Sequence, residues 1–145
     1  MNNKIALISP LYGYPDDYET SFYRAACLYF EKEDIHIVRN PSVIEGSYYY
    51  KFYYYKLVDL LSYLEKNILG KYEYILFLDA LDTNFIKLPN DIIDKFKSFN
   101  CSIIMGAEKN LWPPTNFSHL YENKPIITDY KYLNSGTYFG YTEGI

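Results

Sequence analysis

Asp79 and Asp82 stand three positions apart at the end of an apolar run, Tyr74-Ile75-Leu76-Phe77-Leu78. Such a run fits a strand buried on both faces of a mainly parallel sheet. A strand of this kind should carry no charge, so carboxylates at its carboxyl end stand where open α/β sheets place ligands. If the chain turns after Asp79, both side chains reach one spot. There they repel each other unless a proton or a cation lies between them. Mg2+ or Mn2+ held by one or two carboxylates, with phosphate oxygens completing the shell, meets that condition. A plainer reading is an Asx turn capping the strand, with Asp82 in solvent.

The flanking elements must position these residues. Lys4 to Ser9 reads as a first strand ended by Pro10, with Leu11 to Pro15 as a loop. Thr20 or Ser21 caps a helix expected to run through Phe30. Ile35 to Val38 is a second strand. From Tyr50 to Asn67 the period becomes helical, and Tyr50, Tyr53, Tyr54, Leu57, Val58, Leu61, Leu64 and Ile68 are expected to share the buried face. Lys56, Asp59, Ser62 and Lys66 lie off that stripe, and Gly70 is a stop. Pro89 fits an early helix position, with Ile92, Ile93, Phe96 and Phe99 as the buried stripe. Cys101 to Met105 is a strand leading into Gly106-Ala107-Glu108. Leu111 to Phe117 is a loop, Ile126 and Ile127 a short strand, Tyr132 to Gly136 a turn, and Thr137 to Tyr141 a last strand. Alternating strands and helices predict one α/β domain over residues 1–145, a three-layer α/β/α sandwich with parallel strands.

Composition narrows the function classes. Apolar residues make up 49 % of the 145, which excludes a disordered chain. The net charge of -4 with scattered Lys and Arg gives no basic stripe for nucleic acid. Cys27 and Cys101 lack metal-type spacing and read as reduced, buried thiols. The apolar segment before Pro10 is too short for a signal-peptide core or a membrane span, so a cytoplasmic location is expected. The 19 tyrosines are read mainly as the buried side of the long helix and as compositional bias.

Three features occur in order: the strand ending in Asp79-x-x-Asp82, then Gly106-Ala107-Glu108 with Trp112-Pro113 downstream, then Leu133-Asn134-Ser135-Gly136. This resembles the glycosyltransferase domain of the procollagen-lysine hydroxylases and the related collagen glucosyl- and galactosyltransferases. The resemblance covers roughly residues 50 to 141 and is loose before that. It implies a GT-A fold, a UDP-sugar donor, Mn2+ (or Mg2+), and transfer to a hydroxyl acceptor on a protein or glycan. Asp79 and Asp82 match the metal pair. Asn134, Ser135 and Gly136 match the segment bordering the donor sugar, although Asn, Ser and Gly are also ordinary turn formers.

The same resemblance places Leu78, Asp79, Ala80 and Lys56 near the donor, while the residue pattern alone makes Lys56 a solvated surface cation. Fold analogy puts the nucleoside at Ser9, Pro10 and Leu11, with Tyr12 or Tyr14 stacking on the base. Glu108 and Trp112 are substrate-side candidates, each with a structural reading beside it. Relatives take a further metal ligand, often His, from beyond the Asn-Ser-Gly segment. Neither His36 nor His119 matches that position, so the domain is expected to be incomplete relative to the family. Replacing Asp79 by Ala is expected to leave stability nearly unchanged, because it relieves paired carboxylates.

A haloacid-dehalogenase-type phosphatase fits poorly, since its two Asp stand only two apart and are followed by Gly-Thr. The other alternative is a non-catalytic carbohydrate- or partner-binding module with exposed aromatic residues, which would bind without a metal.

Overall fold

The computed structural model describes residues 4–14, 20–40, 49–81, 83, 91–111, 119–122 and 127–145. Its strands are β1 (Ile5–Tyr12), β2 (Ile35–Asn40), β3 (Tyr74–Leu78), β4 (Ile103–Glu108) and β5 (Tyr132–Tyr141). They form one five-stranded sheet in the order β2-β1-β3-β5-β4. β1 runs parallel to both β2 and β3, whereas β5 lies antiparallel between β3 and β4. Four of the described strands therefore run one way and β5 runs against them, so the sheet is mixed but mainly parallel. Apolar content marks a segment as a strand but carries no information on its direction.

Successive residues of β1 and β3 serve opposite faces, as the pleat requires. On one face Ala6, Ile8, Ile75 and Phe77 pack with Tyr138, with Leu60 and Leu64 of α2 (Tyr49–Asn67), and with Ile68 just past its end. On the other, Leu7, Leu11, Tyr74, Leu76 and Phe139 pack with Phe22 and Ala26 of α1 (Ser21–Ala26) and Phe96 of α3 (Ile92–Ser98). Thr20 caps α1, its hydroxyl accepting the Tyr23 N–H at 3.0 Å. That helix stops at Ala26, short of the expected Phe30. A fourth short helix, α4, spans His119–Glu122. Gly70 takes a φ of 78°, the left-handed turn expected after α2.

Other expectations are corrected. Tyr54, Leu57, Val58 and Leu61 are exposed, while Lys56, Leu60, Leu64 and Ile68 are buried. The helix is thus rotated by roughly one residue step of 100° from the expected register. Its apolar residues ring more than one side, so periodicity alone does not choose the inner one. The side chains of Tyr50 and Tyr53 lie outside the described residues, as do Pro89 and Ile126. The Tyr132–Gly136 segment, expected as a turn, belongs to β5. Phe99 and Ile127 are exposed, and Cys101 is exposed rather than buried, with Cys27 half-buried and both thiols free. Pro10 does not end β1. The strand continues to Tyr12 paired with β2, beyond Ile8, where the pairing with β3 stops. A residue without an N–H is tolerated beside such an unpaired edge.

His36 anchors α2 to β2. Its Nδ1 lies 3.0 Å from the Tyr63 hydroxyl and its Nε2 3.1 Å from that of Tyr72. Tyr72 also donates to the Glu33 carbonyl at 2.9 Å, and it lies 3.1 Å from Asp34, which pairs with Lys4 at 2.6 Å. With the Tyr72 proton given to those acceptors, the ring is satisfied when Nε2–H donates to Tyr72 and Nδ1 accepts from Tyr63. That is a neutral imidazole. Burial pushes the His36 pKa down; Asp34 opposes this, while Lys4 and Lys71 add to it. A folded-state pKa below the unfolded value of about 6.5 means the unfolded chain binds the proton first as pH falls. Stability should therefore drop as pH descends through about 6.5 and level off below the folded-state pKa. Urea denaturation at about pH 7.5 and about pH 5.5, roughly one unit either side of that value, should show a shallower loss for His36→Gln than for the wild type. Equal losses would place the titration elsewhere.

Candidate functional site

β3 delivers Asp79 to the edge of the sheet, one residue past its last apolar side chain. The Asp79 N–H donates to the Gly136 carbonyl at 2.9 Å, which ties the end of β3 to β5. From α2, the Lys56 ammonium reaches Asp79 Oδ1 at 2.6 Å. Lys56 is only 7 % exposed, so this carboxylate is the group that makes its burial tolerable. The ammonium also lies 5.4 Å from the centroid of the Phe77 ring, within cation–π range. Phe77 in turn stacks on Tyr138 at 4.4 Å, with the rings 4° from parallel.

The second carboxylate oxygen lies over Gly136, in the space a side chain there would take. A Cβ placed on Gly136 would come 2.5 Å from Asp79 Oδ2 and 3.1 Å from Asn134 Oδ1. Real side chains do not tolerate the first distance, so glycine is required for Asp79 to stand where it does. The Gly136 N–H donates to Asn134 Oδ1 at 2.7 Å. This bond fixes the amide orientation, because only the oxygen accepts, and it leaves the Asn134 NH2 as a donor pair. Asp79, Lys56, Asn134 and Gly136 therefore form one cluster: a carboxylate with one oxygen committed, a buried cation with one of its three donors used, and an oriented amide. Such a set suits an anionic ligand with a bridging cation.

The other expected residues divide. Leu78 is half-buried, Ser135 is exposed and Ala80 is buried. Ser9, Pro10 and Leu11 are all buried. Ser9 donates its hydroxyl to the Leu78 carbonyl, bracing the strand end that carries Asp79. Tyr12 belongs to the core and Tyr14 is half-buried. Glu108 is half-buried at the end of β4, two register steps past Gly106, which stands opposite Asn134. Asp82 and Trp112 lie outside the described residues. Among the described residues, no group of three or more His, Cys, Asp or Glu is placed to hold a metal ion. His36 is engaged with Tyr63 and Tyr72, and His119 is exposed. No helix among the described residues is long and apolar enough to cross a membrane.

The family model for the PLOD GT domain matches residues 36–145, a span that includes Lys56, Asp79, Asn134 and Gly136. The chain belongs to the PLOD GT domain family. Among curated proteins it is similar to procollagen-lysine,2-oxoglutarate 5-dioxygenase 2 of Mus musculus, 34 % identical over 68 residues, 46 % of this chain and 9 % of that protein. It is likewise similar to procollagen-lysine,2-oxoglutarate 5-dioxygenase of Drosophila melanogaster, 34 % identical over 67 residues, 46 % of this chain and 9 % of that protein. A third relative is procollagen-lysine,2-oxoglutarate 5-dioxygenase 1 of Mus musculus, 29 % identical over 72 residues, 49 % of this chain and 10 % of that protein. The aligned part of the chain is thus about a tenth of the length of these relatives.

Two features of the cluster are not legible in the residue pattern: the burial of Lys56, which the resemblance alone sets near the donor, and Tyr138. Lys56 reads as a solvated cation if the helix is turned toward Tyr54 and Leu57. The four-residue steps from Lys56 to Leu60, Leu64 and Ile68 were the signal for its burial. Tyr138 reads only as an apolar residue of the last strand.

Two consequences follow from the geometry. Gly136→Ala should cost about 1–3 kcal/mol by chemical denaturation, since the new methyl must displace Asp79. Unchanged stability would show that the carboxylate moves aside freely. Asp79→Ala should also destabilise, contrary to the expectation from paired carboxylates, because it strands a buried ammonium. The cost should be about 1–3 kcal/mol, below that of a fully buried pair, because the Asp79 side chain is 32 % exposed. The double variant Lys56→Met/Asp79→Ala should recover part of that loss, and additive losses would deny the coupling.

Proposed function

We propose that this chain is the donor-binding part of a glycosyltransferase, a GT-A-like α/β/α domain that takes a UDP-sugar through a divalent cation, Mn2+ or Mg2+. The observation that carries the reading is Asp79 itself. One of its oxygens is neutralised by Lys56, and the other lies over Gly136, in the space a side chain there would take. The donor set suits a hard cation, which takes oxygen ligands and leaves several positions to phosphate and water. Asp79 and Asp82 would hold the ion, and its chemistry would be to neutralise the departing diphosphate.

The chain's own residues do the rest. Lys56 keeps two ammonium donors for diphosphate oxygens while its stem stays packed under α2. Asn134, its oxygen held by the Gly136 N–H, presents its NH2 to the donor. Ser135, exposed on the same strand, is available to the sugar hydroxyls. Ser9 acts one layer below by bracing Leu78. A hydroxyl of a protein or glycan is the acceptor, with Glu108 and Trp112 as the substrate-side candidates.

Calorimetric titration with UDP tests the reading. Binding should require Mn2+, vanish with EDTA, and fall at least tenfold in Asp79→Asn, the effect expected of losing a charged ligand contact of roughly 1.5–3 kcal/mol. Failure to bind UDP with Mn2+ present, or binding indifferent to EDTA and to Asp79→Asn, would overturn it.

A further inference from the structure

Tyr138 belongs to the same cluster but was not singled out by the sequence. β5 shifts register against β4 between Tyr138 and Asn134, so the pleat alone does not set their faces. Contacts bring them to Asp79: a Cβ on Gly136 would lie 2.5 Å from Asp79 Oδ2 and 3.1 Å from Asn134 Oδ1, and Tyr138 stacks on Phe77, beneath the Lys56 ammonium that pairs with Asp79. That stack, at 4.4 Å, fixes the Tyr138 ring. A ring held this way places its hydroxyl with little freedom left to lose on binding.

Tyr138 is only 9 % exposed, so its hydroxyl is carried on a sheltered ring. A phenol is protonated at neutral pH and can donate one hydrogen bond.

We propose that the Tyr138 hydroxyl is a further ligand contact of this cluster, donating a hydrogen bond to a diphosphate oxygen of a bound nucleotide. This rests on the donor-site reading above, and one experiment separates the two. Wild type and Tyr138→Phe are titrated with UDP in Mn2+, and their melting temperatures are compared. The Phe variant keeps the ring stack and loses only the hydroxyl. The expected result is UDP binding about tenfold weaker in Tyr138→Phe, as for one hydrogen bond to a charged group, with the melting temperature unchanged or raised. Equal affinities would overturn the role of Tyr138 and leave the donor reading standing. Weaker binding with a lowered melting temperature would make Tyr138 a packing residue and overturn the proposal. A wild type that binds no UDP would overturn both.

Discussion

A buried ammonium needs a counter-charge, and beneath α2 that requirement falls on Asp79. Lys56 comes from a helix whose inner face also carries Leu60 and Leu64, and it is buried with them. The ion pair fixes where α2 sits over the end of β3 and where Asp79 points. It also divides the carboxylate: Oδ1 pairs with Lys56, and Oδ2 lies over Gly136. A solvent-exposed pair would do neither, since such pairs contribute little and hold no geometry.

The sheet order then decides what stands beside Asp79. β5 enters antiparallel between β3 and β4, so residues from the C-terminal part of the chain line the open end of the central strand. Gly136 is opposite Asp79, and its missing side chain is what makes room for Oδ2. Asn134 bonds to the Gly136 N–H, and Tyr138 stacks on Phe77 beneath the Lys56 ammonium. Ser9 contributes from the other side by holding the Leu78 carbonyl. Three segments far apart in sequence thus converge on one carboxylate, with a buried cation at its back.

Much of this was legible in the chain. The apolar run into Asp79 located the central strand, Thr20 marked the start of α1, and Gly70 marked the end of α2. The Asn-Ser-Gly segment was rightly set beside Asp79, but as a turn, because those residue types dominate turns when no partner strand is known. Pairing with β3 and β4 overrode that local preference. Strand direction was not legible, since buried parallel and antiparallel strands have similar apolar content. The inner face of α2 was misjudged because Tyr54, Leu57, Val58 and Leu61 make a stripe as apolar as the one that packs. A lysine at the centre of the true buried face argued against it, and only the position of Asp79 in three dimensions shows why that lysine is tolerated.

The central claim is that Asp79 is shared between a structural cation and a ligand-borne one. Diffraction at the manganese absorption edge from crystals grown with Mn2+ and UDP tests it most directly. The expected result is an anomalous peak coordinated by Asp79 on its Gly136 side, with Lys56 still within hydrogen-bonding distance of the other oxygen. A manganese peak elsewhere in the molecule, with Asp79 bound to Lys56 alone, would contradict it.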